Sequence, residues 1–150
     1  MAPEHTTRTP QLQQPAFVAS QVVLGMIHLD SSFLIRSLVP QTPEAIQIER
    51  WLRNKVPLGA SAVCWAEVLC GPFDVAKIPT LRQMLGTPVP FTDRDTARAA
   101  ELFNLGGRRR GIFVDCMIAA IAIGENATLA TLNLADFSRF QSVGLILEKT

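Results

Sequence analysis

Between residues 26 and 147 short apolar runs, too brief to be helices, alternate with helix-length segments that close on glycine or proline. Residues 27–29, 58–62, 88–91, 128–131 and 145–147 read as strands. Helices are predicted over 31–38, from the Thr42 cap to about 54, over 63–70, in part of 73–86, from the Thr92 cap to 105, and over 113–123. Pro40, Gly71-Pro72, Gly106-Gly107 and Gly124 supply the stops. Strands separated by connections of this length cannot close as hairpins, so they pair in parallel through helical crossovers. The expected class is α/β, with a mainly parallel central sheet covered by helices on both faces.

A chain of 150 residues with 48% apolar content is long enough to bury one core without disulfide or metal staples. The first 25 residues carry Pro3, Pro10 and Pro15 and show no clear period before Phe17. They are expected to form a flexible N-terminal extension, with the compact domain spanning 26–150. No apolar run approaches the roughly 20 residues that a bilayer span needs, so neither a membrane segment nor a membrane partner is expected. Cys64, Cys70 and Cys116 lie in apolar runs without zinc-like spacing and read as reduced core residues of a cytoplasmic protein.

Four acids stand where a protein interior is expected. Asp30 ends the first strand, Glu67 lies inside VCWAEVLC, Asp115 inside IFVDCMIAAIAI, and Asp136 follows TLATLNLADF. Burying an ionised carboxylate costs several kcal/mol unless it is paired. Singly, Asp30, Asp115 and Asp136 are each explained nearly as well as helix or turn caps, and Glu67 as an exposed helix residue. Taken together they favour a common centre. Parallel α/β sheets bind ligands beyond the carboxyl ends of their strands, where Asp30 and Asp136 fall. Such a set repels itself unless a cation sits within it, and an all-oxygen donor set favours Mg²⁺, with Mn²⁺ as a substitute.

Ser32, Thr131 and Asn133 flank these acids and are candidates to orient a carboxylate or an ion-bound water. His5 and His28 are isolated, and His28 reads as a strand-face residue. Asp93 and Asp95, beside Thr92, read as helix-start residues only. A net charge of +1 excludes bulk polycationic attraction to nucleic acid, so any grip on phosphate is local. Arg108, Arg109 and Arg110, just ahead of Asp115, are the candidate RNA-binding residues at the rim of the acidic site.

The series LDSSFLI, AEVLCG, GRRRGIFVDCMIAAIA and ATLNLADF resembles the PIN-domain ribonucleases, and within them the VapC-type toxins of toxin–antitoxin pairs. The resemblance spans about residues 26 to 147 and implies a three-layer α/β sandwich. It implies that Asp30, Glu67, Asp115 and Asp136 are metal-binding, catalytic carboxylates, with Asn133 and Ser32 at supporting positions. It further implies Mg²⁺-dependent endoribonuclease activity by metal-activated water, leaving 5′-phosphate and 3′-hydroxyl ends. The implied partners are RNA, a cognate antitoxin and a second copy of the chain in a homodimer. The stretch 73–86 departs from the family pattern. Two alternatives stay open: a PIN-domain RNA-processing nuclease that is not a toxin, and a catalytically silent module that binds RNA or protein.

Overall fold

The computed structural model describes residues 25–149. The expectation for the N-terminal extension falls almost wholly outside them. Four strands, β1 (Ile27–Leu29), β2 (Leu58–Gly59), β3 (Thr128–Ala130) and β4 (Ile146–Leu147), form one sheet in the order β2-β1-β3-β4. Every pairing is parallel, with Ile27 opposite both Leu58 and Thr128. All three residues of β1 are buried, as a central strand covered on both faces requires.

Among the described residues seven α-helices supply the cover: α1 (Ser31–Ser37), α2 (Pro43–Arg53), α3 (Ala62–Cys70), α4 (Ile78–Leu85), α5 (Asp93–Leu105), α6 (Phe113–Gly124) and α7 (Leu134–Phe137). Short 3-10 turns at Val75–Lys77 and Ser138–Val143 complete the described elements. The Thr42 hydroxyl accepts from the Ala45 amide at 3.1 Å to start α2, and Ser61 does the same for Cys64 at 3.0 Å to start α3. In α6, Cys116, Ile118, Ala119, Ala120, Ile121 and Ala122 are all buried, so this helix runs through the core. Each buried isoleucine there contributes on the order of 2 kcal/mol. Among the described residues no helix is long and apolar enough to cross a membrane.

Three expectations are corrected. The run 88–91 is not a strand; it makes a single bridge, Ser61 to Val89. Val89 is flanked by Pro88 and Pro90, which have no N–H to donate, so Val89 alone joins the ladder: its amide bonds Ala60 O at 2.9 Å and its carbonyl accepts from Ala62 at 2.7 Å. The second strand stops at Gly59 instead of residue 62, because Ser61 is already the cap of α3. Cys70 is exposed at the end of α3, whereas Cys64 and Cys116 are buried. In the stretch 73–86, Pro79 is accommodated in the first turn of α4, where its missing N–H is not needed.

Candidate active site

The strand order places a topological switch point between β1 and β3. The chain leaves β1 for β2 on one side, then crosses back to β3 on the other. The loops that follow β1 and β3 therefore diverge and open a crevice at the carboxyl ends of the two strands. Asp30 sits at its floor, only 3% exposed, with its amide bonded to Ala130 O at 2.9 Å as the last rung of the ladder.

Asp30 occupies the N-cap position of α1, but its side chain makes no capping bond. Its Oδ2 accepts from Thr131 Oγ1 at 2.7 Å and from Ser32 Oγ at 2.8 Å, and its Oδ1 accepts from the Cys64 thiol at 3.8 Å. Ser32 and Thr131 are braced in turn: Ser32 Oγ accepts from the Leu132 amide at 3.2 Å and Thr131 Oγ1 from the Asn133 amide at 3.0 Å. The capping explanation for Asp30 thus fails, and the carboxylate is oriented by groups from α1, α3 and the loop after β3. Asn133 contributes through its backbone; its side chain makes no cap bond.

Glu67 lies one turn beyond Cys64 on α3 and accepts a 2.9 Å bond from Ser31 Oγ. Asp30, Cys64 and Glu67 each offer a ligand atom, and the three atoms lie within 4.8 Å of one another. Asp115 stands in the first turn of α6 and Asp136 in the first turn of α7, exposed and 3.8 Å from Arg139. Neither joins the tight group, but both act on the same space. Burial, then the charges of Asp30, Asp136 and Glu67, push the Asp115 carboxyl up to about 6, against the pull of Arg139. Burial, outweighing the Ser31 bond, and the Asp30 charge also raise Glu67. Asp115 thus feels the charges of the other three acids and Glu67 that of Asp30, and a cation among them would relieve that opposition. Carboxylate and hydroxyl oxygens suit a hard ion. Cys64, pushed up to about 12 by burial and by Asp30, is a neutral thiol toward such an ion.

Arg108, Arg109 and Arg110 are exposed in the turn between α5 and α6, and Arg108 Nε is engaged by Asn104 Oδ1 at 2.8 Å. The cation that acts on Asp115 is Arg139, which the sequence reading overlooked although it follows Asp136 at i+3. Cys64 was overlooked as a site residue too, because it looks like core; its i, i+3 relation to Glu67 was the available signal. His28, two residues before Asp30, is buried and its Nε2 has no hydrogen-bond partner among the described residues; burial lowers it to about 4, so it is neutral. A cleft of about 500 Å³ lined by Ser37, Leu38, Gln41, Ala45, Glu49 and Lys77 contains none of the four acids.

A parallel α/β sheet with carboxylates gathered at its switch point defines the class. The chain belongs to the PIN-domain family, whose profile matches residues 27–142. Its fold is that of VapC-type toxins. The VapBC2 structure from Rickettsia felis, bound to a DNA fragment from its promoter, is 24% identical, with 82% of this chain and 97% of that one covered and a TM-score of 0.66. VapBC-1 from nontypeable Haemophilus influenzae matches at 20% identity, coverage of 83% and 97%, and a TM-score of 0.65. VapC20 of Mycobacterium tuberculosis, a sarcin–ricin loop cleaving toxin, matches at 18% identity, coverage of 80% and 96%, and a TM-score of 0.55. No curated protein sequence matches the chain.

Proposed function

We propose that the chain is a Mg²⁺-dependent endoribonuclease, the toxin of a VapBC-type pair, and that Asp30, Glu67, Asp115 and Asp136 hold the ion. The observation that carries this reading is geometric: Asp30 and Glu67 bring ligand oxygens within 4.8 Å of each other at the switch point, beside Asp115, which burial and then the charges of the other three acids raise. A cation bound among the carboxylates would remove such repulsion. When bound, the ion supplies Lewis acidity, making a water nucleophilic near neutral pH and offsetting charge on the phosphodiester.

The protein's own residues do the rest. Ser32, Thr131 and Cys64 fix the Asp30 carboxylate so that no reorganisation is needed when substrate arrives. Ser31 donates to Glu67 and so favours its ionised form, against the burial and the Asp30 charge that raise it. Arg139, less than a third exposed beside Asp136, is placed to meet a phosphate oxygen, while Arg108 to Arg110 grip the backbone further out. A cognate antitoxin covers this crevice, and two copies of the toxin pair in the working complex. The R. felis and H. influenzae relatives, described as VapBC, support the antitoxin partner, and the loop-cleaving activity ascribed to VapC20 supports RNA as substrate.

The test is cleavage of single-stranded RNA by the purified chain with Mg²⁺, with excess EDTA, and with Mn²⁺ restored. Cleavage that survives EDTA would overturn the mechanism. Growth arrest on expression, absent for Asp30→Asn and relieved by the neighbouring small gene, tests the toxin role; no arrest with intact cleavage would assign the chain to RNA processing.

A further inference from the structure

We propose that Cys64 gives the acidic site a second ion-binding mode, in which a thiophilic divalent cation such as Zn²⁺ is held by Cys64 Sγ with carboxylate oxygens of Asp30 and Glu67 and displaces the Mg²⁺ that cleavage requires. The inference rests on the reading of Asp30 and Glu67 as Mg²⁺ ligands and names a regulator of that site.

Geometry carries it. With a zinc–sulfur distance near 2.3 Å and a zinc–oxygen distance near 2.1 Å, tetrahedral coordination sets sulfur and oxygen ligands ~3.6 Å apart. Cys64 Sγ and Asp30 Oδ1 are 3.8 Å apart as the chain stands. The Glu67 oxygen completes a trio within 4.8 Å, and its exposed position leaves a route for the ion and a fourth site for water. Cys64 and Glu67 are presented together because they lie at i and i+3 on α3, a helix pinned at its start by Ser61. Asp30 is prepared for the same role: both hydroxyl donors go to Oδ2, and Oδ1 receives only the weak thiol bond.

The nuclease reading gives the sulfur no task that a serine could not perform. A hard ion leaves the thiol protonated, so Mg²⁺ engages oxygens alone, whereas a soft ion replaces the thiol proton, which passes to solvent as the metal–sulfur bond forms. One crevice thereby distinguishes the two kinds of cation: the first supports cleavage, and the second blocks it.

The experiment titrates Cd²⁺ into the full chain carrying Cys70→Ser, which removes the exposed thiol, and follows the cadmium–thiolate charge-transfer absorption in the ultraviolet. The expected result is an absorption that saturates at one equivalent, vanishes with Cys64→Ser, survives Cys116→Ser, and needs more Cd²⁺ when Mg²⁺ is in excess. No absorption, or absorption that persists in Cys64→Ser, overturns the inference. Should Cys64→Ser fail to fold by circular dichroism, Glu67→Gln decides instead: it must keep the absorption while weakening Cd²⁺ binding by more than about tenfold, and unchanged binding overturns the proposal. Mg²⁺-dependent cleavage by the wild-type chain, measured in cadmium-free buffer, judges the nuclease reading separately. Cleavage without a thiolate band sinks this inference alone; a band without cleavage sinks the nuclease reading and leaves the thiolate site standing.

Discussion

Asp30 and Asp95 are both aspartates at the start of a helix, 3% and 4% exposed. Asp95 is satisfied within its own turn: Oδ2 accepts from the Thr92 amide at 2.9 Å and the Thr92 hydroxyl at 3.0 Å, three residues away. Asp30 takes its bonds from Ser32 beside it, from Cys64 on another helix, and from Thr131, 101 residues distant. Equal burial therefore conceals two roles. A carboxylate closed on its own backbone stabilises a helix end. One aimed by several elements at once is held in place by the whole fold, as a reacting centre must be.

The sharpest way to break this contrast is to neutralise each in turn. Asp30→Asn should cut metal-dependent RNA cleavage by at least about 10³-fold, since it removes charge from the ion site. Asp95→Asn should stay within about threefold of wild type, because its partners lie outside the crevice. Initial rates at saturating Mg²⁺, with circular dichroism to confirm folding, decide; comparable losses in the two variants would mean that burial, not position, sets the effect. A smaller effect sharpens the contrast. Thr131→Val keeps the volume and deletes the hydroxyl on Asp30 Oδ2, so the Mg²⁺ concentration for half-maximal cleavage should rise roughly 10- to 100-fold. An unchanged Mg²⁺ response would leave Thr131 with a packing role only.

The same contrast explains what was legible in the sequence. Asp95 could be read as a helix-start residue because its partner is three positions away. The four acids stood out because carboxylates interrupt apolar runs at strand and helix ends. The parallel α/β class followed from strands spaced by helix-length connections. Cys64 and Arg139 escaped notice because their importance comes only from what the fold brings beside them: sulfur in an apolar helix looks like core, and arginine in a polar turn looks like surface. The supposed strand at 88–91 failed on chemistry that was present in the chain, since the prolines flanking Val89 leave a single donor.

Asp95→Ala should affect stability where Asp30→Asn affects chemistry. Loss of the acceptor on Thr92 is expected to cost about 1–2 kcal/mol, or about 2–6 °C in melting temperature. A thermal melt that moves by less would show that water replaces the carboxylate at the start of α5.

The smallest expected effect is the most diagnostic for the crowded acids. Asp115 is raised from 3.8 to about 6 in the folded chain, so between those values the folded state holds more protons than the unfolded one. The stability this confers is fully present below the unfolded value and is lost as pH rises through about 6. Asp115→Asn removes that dependence. In metal-free buffer it should therefore melt above wild type at pH 7, by roughly 1–3 °C once solvent screening of this half-exposed group is allowed for, and the gap should close toward pH 4. His28, lowered to about 4, has the opposite trend: the stability of keeping it neutral is present above its unfolded value of 6.5 and is lost as pH falls toward 4. Because both chains carry His28, its contribution cancels in the difference and only the Asp115 titration remains. Adding Mg²⁺ at pH 7 should raise the wild-type melt and erase the gap, since the ion supplies the countercharge that the mutation made unnecessary. An Asp115→Asn chain that instead melted below wild type at pH 7, with the deficit closing toward acid, would mean that Asp115 is held ionised by a positive partner, and the repulsion that calls for an ion would be absent.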